Sequence, residues 1–155
     1  MRLTELLRPA DLVLPLDASD KWDGIAQLVA HLAANGRVPK AAADALHEAV
    51  LARERSMSTG MERGIAIPHA AVDALERAVG ALGIVRDPEG LAFESIDGRP
   101  TRLVVLLLIP RAQKLLHIRT LADVARTLGK EGVCERLAAC ESADEAWNAL
   151  VELDR

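Results

Sequence analysis

Aromatic residues are scarce in this chain: there is no tyrosine, one phenylalanine and two tryptophans in 155 residues. Packing therefore falls to Leu, Val, Ile and Ala, and a chain this long can bury a sizeable aliphatic core. Basic blocks and basic residues interleaved with aromatics are also missing, and the net charge is −4. The positive stripe expected of a nucleic-acid binder is therefore absent. No apolar run approaches the ~20 residues of a spanning helix. The N-terminal Met1-Arg2-Leu3-Thr4-Glu5 has no apolar signal-peptide region, so a cytoplasmic location is expected. The only cysteines, Cys134 and Cys140, lack zinc or redox spacing and read as small buried apolar residues. With no repeat, no low-complexity tract and no long linker, residues 1–155 are expected to form one domain.

Strand-like and helix-like segments alternate along the chain. Leu12 to Leu16 reads as a strand, with Pro15 placing it at an edge. A helix from Lys21 to Asn35 follows, with Trp22, Ile25, Ala26, Val29, Leu32 and Ala33 on its buried face, His31 off that face and Gly36 as its cap. Pro39 fits the first turn of a second helix reaching Arg55, whose inner stripe is Ala42, Ala45, Leu46, Ala49 and Val50. Gly64 to Ile67 is a short strand, Ala70 to Ala78 a helical turn, and Val79 to Val85 a further strand. Leu103 to Ile109 is nearly all aliphatic, as in a central strand covered on both faces. Helices then follow around Leu116–Leu128, 132–139 and, behind a Ser142/Glu145 capping box, Ala146–Val151. This order predicts an α/β three-layer sandwich: a mixed sheet with helices on both faces.

One stretch carries chemistry. Arg53-Glu54 at a helix end runs into Ser58-Thr59-Gly60, then Gly64-Ile65-Ala66-Ile67-Pro68-His69. Proline stiffens its own φ and pushes the preceding residue toward extended geometry, so Ile67 ends a strand and His69 sits just beyond it. An imidazole held this way can offer one nitrogen outward while its neighbours fix the tautomer. On spacing alone, a turn residue is the simpler reading of His69, and a solvated surface pair that of Arg53 and Glu54.

The run Arg53-Glu54, Ser58-Thr59-Gly60 and Gly64 through His69 resembles the signature of enzyme IIA domains of the fructose/mannitol/nitrogen-regulatory type. These domains belong to the phosphoenolpyruvate-dependent phosphotransferase system. The resemblance extends from about Leu3 to Leu153 and implies the same sandwich. It also implies that His69 accepts a phosphoryl group on Nε2, with His117, in Leu116-His117-Ile118, as second site histidine. Arg53 would offer a planar fork to phosphoryl oxygens. The Thr59 hydroxyl would donate another hydrogen bond or close a turn in its own loop. Gly60 and Gly64 would admit backbone N–H groups, Glu54 would anchor Arg53, and Pro68 would stiffen the approach to His69. The loop departs from the family pattern at Met61, Glu62 and Arg63, where an acidic Glu62 could oppose a phosphohistidine.

Two functions follow from the resemblance. The first is a phosphocarrier that receives phosphoryl from a histidine-containing phosphocarrier protein (HPr), or its nitrogen-branch equivalent, and passes it to a separate IIB component in sugar uptake. The second is a nitrogen-regulatory protein whose phosphorylation state controls the binding of regulatory partners. Neither implies a cofactor, a metal or nucleic acid, and contact with a membrane would run only through a permease partner. A metal-dependent hydrolase using His69 and His117 has no H-x-x-x-H pair and no clear carboxylate ligand to support it.

Overall fold

The computed structural model describes residues 2–155. The elements in chain order are α1 (Leu3–Leu6), β1 (Leu12–Val13), α2 (Lys21–Ala34), α3 (Ala43–Ser56), β2 (Ile65–Ala66), β3 (His69–Val72), β4 (Val79–Ile84), β5 (Leu103–Pro110), α4 (Lys114–Leu128), α5 (Val133–Ala138) and α6 (Ala143–Leu153). The sheet runs β1–β4–β5, with β2 and β3 both on the far side of β5. β4 is antiparallel to β5 and the other pairings are parallel, so the sheet is mixed.

Every residue of β5 is buried, which is why its sequence has no polar face. Leu103, Val105, Leu107 and Ile109 enter one half of the core with α1, α4, α5 and α6. Val104, Leu106 and Leu108 enter the other half with α2 and α3. The result is the expected three-layer α/β sandwich. β1 pairs only with β4 and ends before Pro15, an edge position in keeping with a residue that cannot donate to a ladder.

Several local expectations change. The helical turn expected over 70–78 is replaced at its start by β3, with His69 opposite Leu107 and Val72 opposite Pro110. Ile65 lies opposite Leu103, so β2 and β3 keep one register along β5 and are a single strand interrupted at Ile67 and Pro68. Pro68 has no N–H to donate, but its carbonyl still accepts from the Leu107 amide at 3.0 Å. His69 therefore begins a paired strand rather than following one. In α2, Leu28 is fully buried while Trp22 is 37% exposed. Indole lies beside the Lys21 ammonium, 4.8 Å from its ring centre. Pro39 caps a 3₁₀ turn, Lys40–Ala42, ahead of α3. On α3, Ala45 is exposed and a carboxylate, Glu54, takes a buried place. Val151 on α6 is also exposed. His31, expected to be solvated, meets the Ala10 carbonyl through Nε2 at 2.6 Å. Ser142 Oγ accepts from the Glu145 amide at 3.1 Å as a capping box requires, but the Glu145 carboxylate reaches the Glu141 amide rather than that of Ser142.

Candidate functional site

Strand alternation decides which way His69 faces. Ile65 and Ile67 point into the core half that contains α4, and His69, two residues further on, lies on that same face. Its Nδ1 is 2.7 Å from the Ile67 carbonyl oxygen. A carbonyl only accepts, so Nδ1 carries the proton and Nε2 keeps its lone pair. Burial holds the His69 pKa below its ordinary value, with Arg53 and His117 pushing the same way; the bond to Ile67, and more weakly Glu54, oppose them. The ring is therefore neutral near pH 7.

His117 lies in the first turn of α4, with its amide bonded to the Gln113 carbonyl at 3.0 Å. The His69 and His117 rings meet edge to face, with centroids 5.3 Å apart. Burial and then Arg53 lower the His117 pKa as well. Arg53, at the C-terminal end of α3, is half-buried and donates through Nη1 to the Met57 carbonyl at 2.7 Å. Two histidines and one arginine, widely separated in sequence, thus share one electrostatic neighbourhood. Met57, Leu115 and Ile118, the residues flanking Arg53's bond and His117, are exposed apolar side chains.

A pocket of about 370 Å³ opens beside His69, lined by Arg53, Thr59, Gly60, Met61, Leu121 and Ala125 among others. Residues 59–61 run antiparallel to β2. Thr59 O accepts from the Ile67 amide at 3.1 Å, and the Met61 amide donates to Ile65 O at 2.8 Å. Gly60 is required there, because a Cβ would lie 2.7 Å from the Glu94 carbonyl oxygen. Gly64, at φ +79°, turns the chain into β2 over Cys134 and does not line the pocket.

Two expected roles change with this geometry. Glu54 does not anchor Arg53: its buried carboxylate accepts from the Thr59 amide at 3.1 and 3.2 Å, from the Thr59 hydroxyl at 2.6 Å and from Lys21 at 3.1 Å. The Thr59 hydroxyl proton is thereby committed to Glu54, so that oxygen could serve any further partner only as an acceptor. Glu62 is exposed and lies in a neighbouring groove with Ile96 and Gly129. Arg63 donates to the Asp97 carboxylate through its amide and to the Gly129 carbonyl through its side chain. Neither residue lines the pocket beside His69, so the acidic departure in the loop does not face the imidazole. Among the described residues, no group of three or more His, Cys, Asp or Glu could hold a metal ion.

The family model for the phosphoenolpyruvate-dependent sugar phosphotransferase system, EIIA 2, matches residues 5–152. The chain belongs to this family. It is similar to a nitrogen regulatory protein of Klebsiella oxytoca, 41% identical over 107 residues, covering 68% of this chain and 64% of the relative. The matched region thus spans slightly under two thirds of that relative's length. It is also similar to a fructose-specific EIIA component of Haloferax volcanii, 32% identical over 148 residues, 95% of this chain and 94% of the relative. Among solved structures, the nitrogen regulatory protein IIA-Ntr of Neisseria meningitidis superposes with a TM-score of 0.81 at 28% identity, covering 96% of this chain and 98% of that one. Mannitol enzyme IIA of Escherichia coli, in complex with phosphorylated enzyme IIB, superposes at 0.76 with 26% identity, over 94% and 97% of the two chains.

Within this EIIA chain, the structure brings His69, His117, Arg53, Thr59 and Gly60 together and leaves Gly64 behind the turn. It also adds parts that no motif announced. The Ile67 carbonyl that holds Nδ1 is a backbone atom, invisible to side-chain patterns. Lys21 had one signal: a cation in the first turn of a helix opposes the macrodipole, and so calls for a separate reason to be there.

Proposed function

We propose that this chain is a phosphocarrier whose His69 accepts a phosphoryl group from a phosphorylated HPr-like protein and hands it to a separate IIB component. Residues 1–155 would act as a single EIIA domain in the cytoplasm. The observation that carries the reading is the division of labour on one ring: Nδ1 is spent on the Ile67 carbonyl, leaving Nε2 as the nucleophile beside a pocket shared with Arg53.

In the proposed transfer, the Nε2 lone pair forms a P–N bond as the donor's own P–N bond breaks in line, and the donor nitrogen leaves with that electron pair. No proton need leave His69. Nδ1–H remains on Ile67 O, where the carbonyl dipole stabilises the positive charge that the ring gains. Arg53 commits one donor to Met57, and its other N–H groups would meet the phosphoryl oxygens. His117, whose ring meets that of His69 edge to face, would donate one further N–H. The protein's contribution is mainly positioning and charge stabilisation.

A second reading keeps His69 and changes the downstream step. The similarity to nitrogen regulatory proteins favours a regulatory IIA, in which up to about two added negative charges change what docks on the surface. Incubating the phosphorylated chain with purified IIB proteins separates the two. Loss of label to a IIB supports transport. Retention of label, together with a partner that binds only one phosphorylation state, supports regulation.

A further inference from the structure

Lys21 lies outside the pocket and belongs to no recognised motif, yet it is 7% exposed and its charge is deeply placed. Its Nζ stands 3.1 Å from Glu54 Oε1 and 3.6 Å from the largely exposed carboxylate of Glu94, and it is flanked by the rings of Trp22 and Phe93. Glu54 in turn grips Thr59 by both amide and hydroxyl. The Thr59 carbonyl receives the Ile67 amide, and the Ile67 carbonyl receives His69 Nδ1–H. An unbroken run of contacts therefore leads from the first residue of α2 to the imidazole.

Building on the reading of His69 as the phosphoryl acceptor, we propose that Lys21 is a positioning residue for that site. It acts through Glu54, Thr59 and Ile67 to fix the tautomer and angle of the His69 ring. A carboxylate this buried needs a counter-charge to remain in place. Lys21 is the cation its oxygen contacts, while the neighbouring guanidinium of Arg53 is turned to Met57. Without Lys21, Glu54 is left buried among neutral donors and its hold on Thr59 relaxes. Ile67 then loses the support that aims its carbonyl at Nδ1. The chemistry does not involve Lys21, so the ability of a saturating donor to dock is untouched, and the loss falls on the transfer step.

The test uses the full chain as wild type, Lys21→Met and Lys21→Arg. Transfer from a phosphorylated HPr-like donor should fall about tenfold in rate at saturation for Lys21→Met, with its KM unchanged, as expected when a reacting group is misplaced rather than unbound. Lys21→Arg, which keeps the cation, should recover most of that loss. Independently of any transfer, nitrogen-15 imidazole spectra should show His69 as a single Nδ1–H tautomer in the wild type and as a mixture in Lys21→Met. A folded Lys21→Met with the wild-type rate, or with the wild-type His69 spectrum, overturns the proposal. If the wild type takes no label, the phosphocarrier reading fails and the tautomer spectra still decide the positioning role. If Lys21→Met does not fold, hydrogen exchange in the wild type decides: the Thr59 amide should exchange as slowly as that of Ile67, and exchange at the rate of an exposed loop contradicts the relay.

Discussion

His69 is set apart from the chain's other histidines by how its two ring nitrogens are divided. His31 meets the Ala10 carbonyl through Nε2, and His47 leaves Nε2 buried without a hydrogen-bond partner. His69 alone pairs a backbone-held Nδ1 with a pocket, and burial plus the Arg53 charge hold its pKa down. The acid limb of phosphoryl acceptance should therefore lie below the ~6.5 of an ordinary imidazole. Arg53→Gln removes a cation that lowers the pKa, so that limb should move to higher pH; initial rates from pH 5 to 8 measure it. An unmoved limb would show that Arg53 does not act on the His69 charge. His117→Ala should slow transfer by about 10²-fold, the scale of losing one well-placed donor, while the label still appears on His69. Unchanged single-turnover kinetics in that variant would remove His117 from the site. The sequence suggested these roles only through the family resemblance, carried by the run from Arg53 to His69 and, for His117, by the segment Leu116-His117-Ile118. The exchange of partners at Glu54 was not, because a carboxylate beside an arginine at a helix end gives no sign that it will turn inward to Thr59.

The elements that matter most are the interrupted strand β2–β3 and the loop folded along it. Gly64 to Ile67 was readable as a strand, and Pro68 as the point where it ends. That pairing resumes at His69 was not, since Ala70-Ala71-Val72 is too short to show its period, and the decisive partner, β5, lies more than thirty residues away. β5 itself was plain, because an aliphatic run covered on both faces needs no alternation to be read. The loop is tied down at Thr59, Gly60 and Met61, with Gly60 hard against Glu94. Gly60→Ala should cost about 2 kcal/mol, in the range for overpacking against unyielding backbone. It should also slow transfer, because the same shift disturbs Ile67. Urea unfolding and labelling kinetics on one preparation check both, and a variant as stable and as fast as wild type would show that the close approach is dispensable.

Over the whole molecule, the helices sort cleanly onto the two faces of the sheet, and the active-site candidates gather where β3, the end of α3 and the start of α4 meet. The layering could be read from the alternation of segments. The meeting point could not, because it depends on the order β1–β4–β5–β2 and on register rather than on any local pattern. Folding holds His69 and His117 below their ordinary pKa, so the unfolded chain binds more protons in mildly acid solution. Their contribution should leave stability intact above ~6.5 and reduce it as pH falls from there toward their folded values. Thermal melts at pH 7.5 and 5.5 should differ less for a His69→Asn/His117→Asn double variant than for wild type; an equal difference would place the acid sensitivity elsewhere. The measurement closest to the central claim is phosphorus-31 and nitrogen-15 spectroscopy of the chain after incubation with phosphoenolpyruvate and the two general phosphocarriers. The expected result is one acid-labile phosphoryl group on Nε2 of His69, absent in His69→Ala. A phosphoryl group on any other atom, or equal labelling of His69→Ala, would contradict it.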